Sequence, residues 1–266
     1  MKFNYGACIG GKDLAKIKTL AGLGYDFVET GFSALDTLTD EDIGAFDATL
    51  RENGLSCVSC NGFMPGTLKT VGPEVDDGAI KDFLARTFER SAKLGFKSLI
   101  FGSGASRRVP DGYPRAKAKA DLIHFLGDLA LPYAKKYGIV IGIEELRSEE
   151  TNIINTCGEA MEYIREIDDP NLRLLVDLYH VACMGDSVET LHDYKGYVSH
   201  VHIASPSNKR VYPLPTDGDD ALYRRFFEVL DEIGYEARNI SLEGSVGDAF
   251  DVTVSASLPY LKSLES

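Results

Sequence analysis

The feature that most limits the fold of this chain is a repeated alternation of a short apolar run with a longer amphipathic stretch. Strict alternation of strand and helix patterns calls for a parallel sheet, because parallel neighbours need a crossover between them. Strand patterns lie at 3–8, 25–29, 55–61, 98–101, 139–144, 172–177, 198–204 and 240–243. Helical patterns fall between them at 12–23, 40–52, 77–94, 117–137, 159–167 and 221–233, with a weak, short one at 187–194 and a last one at 252–264. In the first helix Leu14, Ile17, Leu20 and Ala21 share one face, and Gly24 stands where a helix commonly stops. The helix at 40–52 opens on Asp40, Glu41 and Asp42, which the positive end of a helix dipole favours. Eight such units in 266 residues predict an α/β fold, a closed (β/α)8 TIM barrel forming a single domain over 1–266. The length also suits a doubly wound sheet, but Gly10-Gly11 after the first strand does not make the phosphate fingerprint of that class.

Charge and cysteine usage narrow the function. The formal net charge of −13 repels phosphate backbones, so no nucleic-acid partner is expected. Cys8, Cys57, Cys60, Cys157 and Cys183 are odd in number and scattered, unlike a disulfide framework. Cys57 and Cys60 are spaced as CxxC but lie within a strand pattern, where small apolar packing is the simpler reading. The first six residues carry no apolar leader, and no stretch approaches the roughly 20 apolar residues that span a bilayer. The expectation is a cytoplasmic protein with no membrane partner.

In a barrel of this kind catalytic groups stand at the carboxyl ends of the strands. Strand two ends in Glu29, strand five in Glu144, strand six in Asp177 and strand eight in Glu243, while strand seven carries His200 and His202 on one face. A single acid at a strand end is often only a helix cap or a solvated loop residue. Carboxylate, carboxylate, imidazole and carboxylate on four consecutive strands would repel one another without a cation among them. Glu144, Asp177, His202 and Glu243 are therefore expected to hold one divalent metal ion. Oxygen-rich donors with one imidazole suit Mn²⁺, Mg²⁺ or Co²⁺, with Zn²⁺ also accommodated. His180, three residues beyond Asp177, reads as a substrate contact or a packed histidine, and the role of His200 stays open. His124 and His192 fall on helix patterns and are expected at the surface. The longer loops at 65–76, 105–114 and 205–218 are expected to shape the mouth.

These segments resemble the xylose isomerase-like barrel superfamily. The run from Glu144 to Asn152 is similar to its E-P-L-N-R-x-E-T-N segment, and Val176 to His180 to its V-D-x-x-H strand. His200 to Ala204 resembles H-x-H-I-A/G, and Ile240 to Glu243 resembles I-S-x-E. Asn61 to Pro65 and Gly102 to Arg107 are also familiar from this group, whose sugar isomerases and ketose 3-epimerases are the nearest match. The resemblance implies Glu144, Asp177, His202 and Glu243 as metal ligands, and Glu150, His180, Asn61 and Arg210 as contacts of a small-molecule sugar substrate. It further implies that Glu144 and Glu243 move a proton on opposite faces of a cis-enediolate. Two departures bear on the substrate. Glu145-Leu146-Arg147-Ser148 replaces Pro-Leu-Asn-Arg, and the arginine after strand seven is displaced to Arg210.

The expected activity is thus a metal-dependent isomerase or epimerase of a ketose or related polyol. The competing readings are an inosose dehydratase-like lyase, an endonuclease IV-like nuclease and a non-catalytic sugar-binding protein. The nuclease needs a histidine-rich trinuclear zinc cluster, and the chain has only five histidines. Barrels of this type often pair, which leaves room for a homo-oligomer.

Overall fold

The structure, a computed structural model, describes residues 2–246 and 249–265. Eight strands close into one barrel in chain order: β1 (Asn4–Cys8), β2 (Phe27–Gly31), β3 (Cys57–Asn61), β4 (Ser98–Phe101), β5 (Val140–Glu144), β6 (Leu172–Asp177), β7 (Val198–Ile203) and β8 (Asn239–Leu242). Every neighbouring pair is parallel, and β8 returns to β1 with Ala7 opposite Leu242. Closure leaves no sheet edge to protect.

Eleven α-helices accompany these strands among the described residues: α1 (Leu14–Leu23), α2 (Phe32–Leu35), α3 (Asp40–Glu52), α4 (Asp77–Ser91), α5 (Gly104–Arg107), α6 (Arg115–His124), α7 (Leu131–Tyr137), α8 (Cys157–Ile167), α9 (Leu178–Cys183), α10 (Asp220–Glu232) and α11 (Phe250–Leu264). Local chemistry sets their ends. Thr39 caps α3 by accepting from the Asp42 amide, while the Asp42 carboxylate accepts from the Thr39 amide. Gly24 and Gly138 close α1 and α7 in the left-handed conformation that a side chain would oppose. None of the described helices is long and apolar enough to cross a membrane.

The alternation predicted from sequence is present, with four differences. The helix expected over 117–137 is α6 and α7 joined through a π-helical segment, Phe125–Ala130, which turns Phe125, Leu126 and Leu129 inward. The helix expected over 77–94 ends as α4 at Ser91 and tightens into a 3₁₀ turn, Ala92–Leu94. The weak helix near 187–194 is likewise 3₁₀ (Val188–Tyr194). Three short helices, α2, α5 and α9, sit directly on the ends of β2, β4 and β6 and carry too few residues to show a period.

Aromatic side chains dock the helices on the sheet. The Phe32 ring packs edge-on against Phe63 at 5.5 Å and Phe88 at 5.0 Å, and Phe88 stacks on Tyr133 and Tyr137 at 5.7 Å each. Cys57 and Cys60 are buried in β3 with no disulfide, as packing residues. His124 and His192 lie half-exposed on the helical layer, paired with acids.

Candidate metal centre

The carboxyl ends of β5 to β8 bring the four expected residues together. Glu144 ends β5, Asp177 ends β6 opposite His202 in β7, and Glu243 follows β8 directly. One donor atom from each of Glu144, Asp177, His202 and Glu243 lies within 4.8 Å of the others. His202 Nδ1 stands 3.2 Å from Glu144 Oε1 and 3.3 Å from Glu243 Oε2. Glu144, Asp177 and His202 are buried, and Glu243 is partly open to the cleft above.

So many buried acids perturb one another. Burial, reinforced by Glu243, raises the Glu144 carboxyl, although His202 opposes it. Asp177 is pushed up to about 6 by burial, with Arg210 opposing and Glu243 adding to the rise. Burial also acts to raise Glu243, but His202 and Arg210 outweigh it and hold this carboxyl at about 2. Arg210 supplies positive charge to the cluster: its Nη2 lies 2.5 Å from Glu243 Oε2 and 3.3 Å from Asp177 Oδ2.

The position of Arg210, displaced in sequence, follows from its loop. Val211 bridges to Ser205 and to Ser245, and the Arg210 carbonyl accepts from the Ser245 amide at 2.8 Å. A Cβ on Gly244 would stand 2.3 Å from that carbonyl, so only glycine lets the two segments meet. The loop thereby aims the guanidinium back over the strand ends. Its Nη1 reaches Glu150 Oε1 at 3.4 Å.

The other expected contacts also line this space. Asn61 Nδ2 donates to Glu243 Oε1 at 2.8 Å. His180 is fully buried; its Nδ1 accepts from the Arg147 amide, and its Nε2 lies 3.4 Å from Asp177 Oδ2 with no hydrogen-bond partner among the described residues. Burial pushes His180 down to about 4, so the ring is neutral, and with Nδ1 accepting, Nε2 carries the ring hydrogen and can donate it. Above lies a cleft of about 830 Å³, lined by Arg147, Glu150, Tyr179, Arg210 and Glu243 among others, a size suited to a small ligand. Of the three loops expected at the mouth, only the one at 205–218 contributes to its described lining. The loops at 65–76 and 105–114 bind each other instead, through Ser106 Oγ to the Leu68 carbonyl and Lys69 Nζ to the Ala105 carbonyl.

Several residues that organise the site carried no assigned role in the sequence. Glu29 Oε1 faces His202 Nε2 at 2.9 Å, and Glu29 Oε2 accepts from Ser59 and Ser241 and lies 3.0 Å from His200 Nε2. Burial acts to raise Glu29, but His202 and His200 reverse this and keep it ionised. The Glu29 carboxylate thus faces the far nitrogen of the His202 ring without a hydrogen bond to it, and Nδ1 is the nitrogen turned toward Glu144 and Glu243. His200 thus belongs to the support of His202. Its sequence signal was the shared strand face; for Glu29 it was an acid ending a strand. Arg107, wholly buried, donates from Nη1 to the Phe101 carbonyl and from Nη2 to the carbonyls of Glu144 and Ile154, tying the end of β4 to that of β5. Burial lowers it to about 10, still charged near neutrality.

The donor set fits a divalent cation on chemical grounds. Three carboxylates and one imidazole converge, one imidazole nitrogen is backed by an acid, and the cluster already draws in a guanidinium for balance.

The family profile described as xylose isomerase-like TIM barrel matches residues 17–264. The chain is 25% identical over 247 residues to D-psicose 3-epimerase of Agrobacterium fabrum, covering 86% of this chain and 76% of that one. It is 27% identical over 210 residues to 3-dehydro-D-guloside 4-epimerase of Escherichia coli, covering 75% and 76%. In fold it is similar to the crystal structure of 3-keto-D-glucoside 4-epimerase from E. coli, with a TM-score of 0.81 at 21% identity over 98% of this chain and 100% of that one. It is also similar to D-allulose 3-epimerase from Methylomonas sp. in complex with D-allulose, with a TM-score of 0.80 at 20% identity over 98% and 97%. The chain belongs to the xylose isomerase-like TIM barrel family.

Proposed function

We propose that this protein is a divalent-metal-dependent epimerase or isomerase of a ketose or related polyol. The observation that carries the reading is the approach of both Glu144 Oε1 and Glu243 Oε2 to the same His202 nitrogen, at 3.2 and 3.3 Å, below a cleft able to admit a small ligand. The curated relatives include epimerases of D-psicose and of 3-dehydro-D-guloside, which supports the same class.

Glu144, Asp177, His202 and Glu243 would hold the metal, of the Mn²⁺, Mg²⁺ or Co²⁺ type, with Zn²⁺ also accommodated. When bound, it supplies Lewis acidity that lowers the pKa of the carbon next to a carbonyl. The chain's own residues do the rest. Glu144 and Glu243 would remove and return the carbon proton from opposite faces of the sugar carbon. His180 Nε2, Glu150 and Arg210 orient the hydroxyls, and Asn61 fixes the Glu243 oxygen that it bonds. Burial of Glu144, Asp177 and His202 limits solvent at the strand ends, while Glu243 faces the cleft.

Incubating the protein with Mn²⁺ and a panel of ketoses in D₂O tests this, with nuclear magnetic resonance following deuterium at each carbon. The reading expects one carbon adjacent to the carbonyl to exchange and an epimer or aldose to accumulate. It also expects Glu243→Gln to abolish both. No exchange at any carbon of any sugar overturns it.

A further inference from the structure

We propose that Cys8, Glu29 and His202 form a second cation site, selective for a thiophilic divalent ion such as Zn²⁺ or Cd²⁺, which competes with the first site for the His202 ring. A thiol sulfur, a carboxylate oxygen and an imidazole nitrogen of these residues lie within 4.8 Å of one another. Cys8 and Glu29 sit directly opposite in β1 and β2, with Cys8 Sγ 3.4 Å from Glu29 Oε1. From the other side His202 Nε2 approaches the same oxygen at 2.9 Å.

A second observation points to a ligand here. His202 is fully buried, yet among the described residues its Nε2 has no hydrogen-bond partner, because the approach to Glu29 misses hydrogen-bond geometry. A polar atom so placed is costly unless something takes up its electron pair or its proton. Sulfur, nitrogen and oxygen donors together suit zinc or cadmium, whereas the neighbouring three-carboxylate set suits harder ions. Cys8 is only partly buried, and its Sγ lies 3.7 Å from Asn61 Nδ2, the amide that also donates to Glu243 Oε1.

The two ends of one ring then serve two sites. A neutral imidazole has a single free electron pair. When a soft cation binds, the Cys8 S–H bond breaks, its proton goes to solvent and a sulfur–metal bond forms. The ring proton moves from Nε2 to Nδ1, and the Nε2 pair goes to the cation. Nothing is oxidised or reduced. Nδ1, now carrying hydrogen, can no longer hold the ion between Glu144 and Glu243. The site is thereby inhibitory, a binding property beyond the proposed sugar chemistry.

The test is a titration of Cd²⁺ into Mg²⁺-saturated protein carrying Cys183→Ser, which removes the exposed thiol, while the ultraviolet thiolate-to-cadmium band is followed. The expected result is a band that saturates at one cadmium per chain, disappears with Cys8→Ser and persists with Cys60→Ser and with Glu243→Gln. A band that survives Cys8→Ser overturns the proposal. So does its absence from the Cys8-containing protein, a result that does not depend on how the Cys8 variant folds. The band is read without substrate or turnover, so its failure leaves the epimerase reading standing, and failure of that reading leaves the site standing.

Discussion

A Cβ built on Gly102 would lie 2.1 Å from Glu144 Oε2. The residue just past β4 therefore has to be glycine for Glu144 to reach the centre. In Gly102→Ala the carboxylate must swing away while the surrounding barrel is untouched. A displacement near 1 Å at a reacting group costs about 100-fold in rate. Turnover of the alanine variant is expected to drop by about that factor with its circular dichroism spectrum unchanged; full activity contradicts the placement of Glu144. A second consequence concerns pH. A metal must displace whatever protons its ligands hold. Asp177 is pushed up to about 6, chiefly by burial, so a proton competes with the metal below that pH and yields above it. Metal affinity measured by calorimetry should rise with pH through this range, by about tenfold per unit for each proton displaced. An affinity that stays flat between about pH 5 and 7 contradicts this. Glu144, Asp177 and Glu243 were legible in the sequence because each closes an apolar run, and His202 because it stands near the end of the run between them. Glu29 and His200 were also visible at strand positions, but the job of Glu29 depends on the His202 nitrogen it faces and that of His200 on its contact with Glu29, and spacing along a chain does not encode either. Arg107 was hidden for another reason. A lone arginine in a loop pattern reads as solvated until the three carbonyls that satisfy it are seen to converge.

At the scale of elements, the barrel depends on how each helix seats on its strands. Phe88, fully buried on α4, meets Phe32 of α2 and stacks on two tyrosines of the segment that α6 begins. Truncating a buried aromatic in such a setting costs about 3–5 kcal/mol. Phe88→Ala is expected to lose that much in urea denaturation; a loss under about 1 kcal/mol contradicts the packing described. The strands were read well because a strand buried on both faces is a continuous apolar run. β4 and β6 begin and end where the pattern does, and β8 stops one residue before Glu243 because the chain turns there into the bridge with Val211. Helix detail was less legible. The π-helical segment from Phe125 to Ala130 changes the face by one residue, which a 3.6-residue period absorbs without trace. The one-turn helices α2, α5 and α9 are fixed by the strand ends they sit on rather than by their own periodicity.

At the scale of the whole molecule, closure of the sheet is what turns scattered acids into a site. Glu29 and Glu243 are distant in sequence, yet both face His202, because β8 pairs with β1 and β1 with β2. In a chain of net charge −13, two arginines stand at the mouth, Arg147 and Arg210, each 5.4 Å from the Tyr179 ring and each paired with Glu150. That local balance belongs to the segment in which the chain departs from its superfamily pattern, so it is the substrate, rather than the metal, that the sequence left unread. The central claim is that one divalent ion sits among Glu144, Asp177, His202 and Glu243. Titration of Mn²⁺ into the metal-free protein, read by calorimetry, tests it most directly when the natural chain and Asp177→Asn are compared. The account predicts one ion per chain in the first and an affinity lowered by at least about tenfold in the second, the change that 1.4 kcal/mol produces. The same stoichiometry and affinity in both proteins would contradict it.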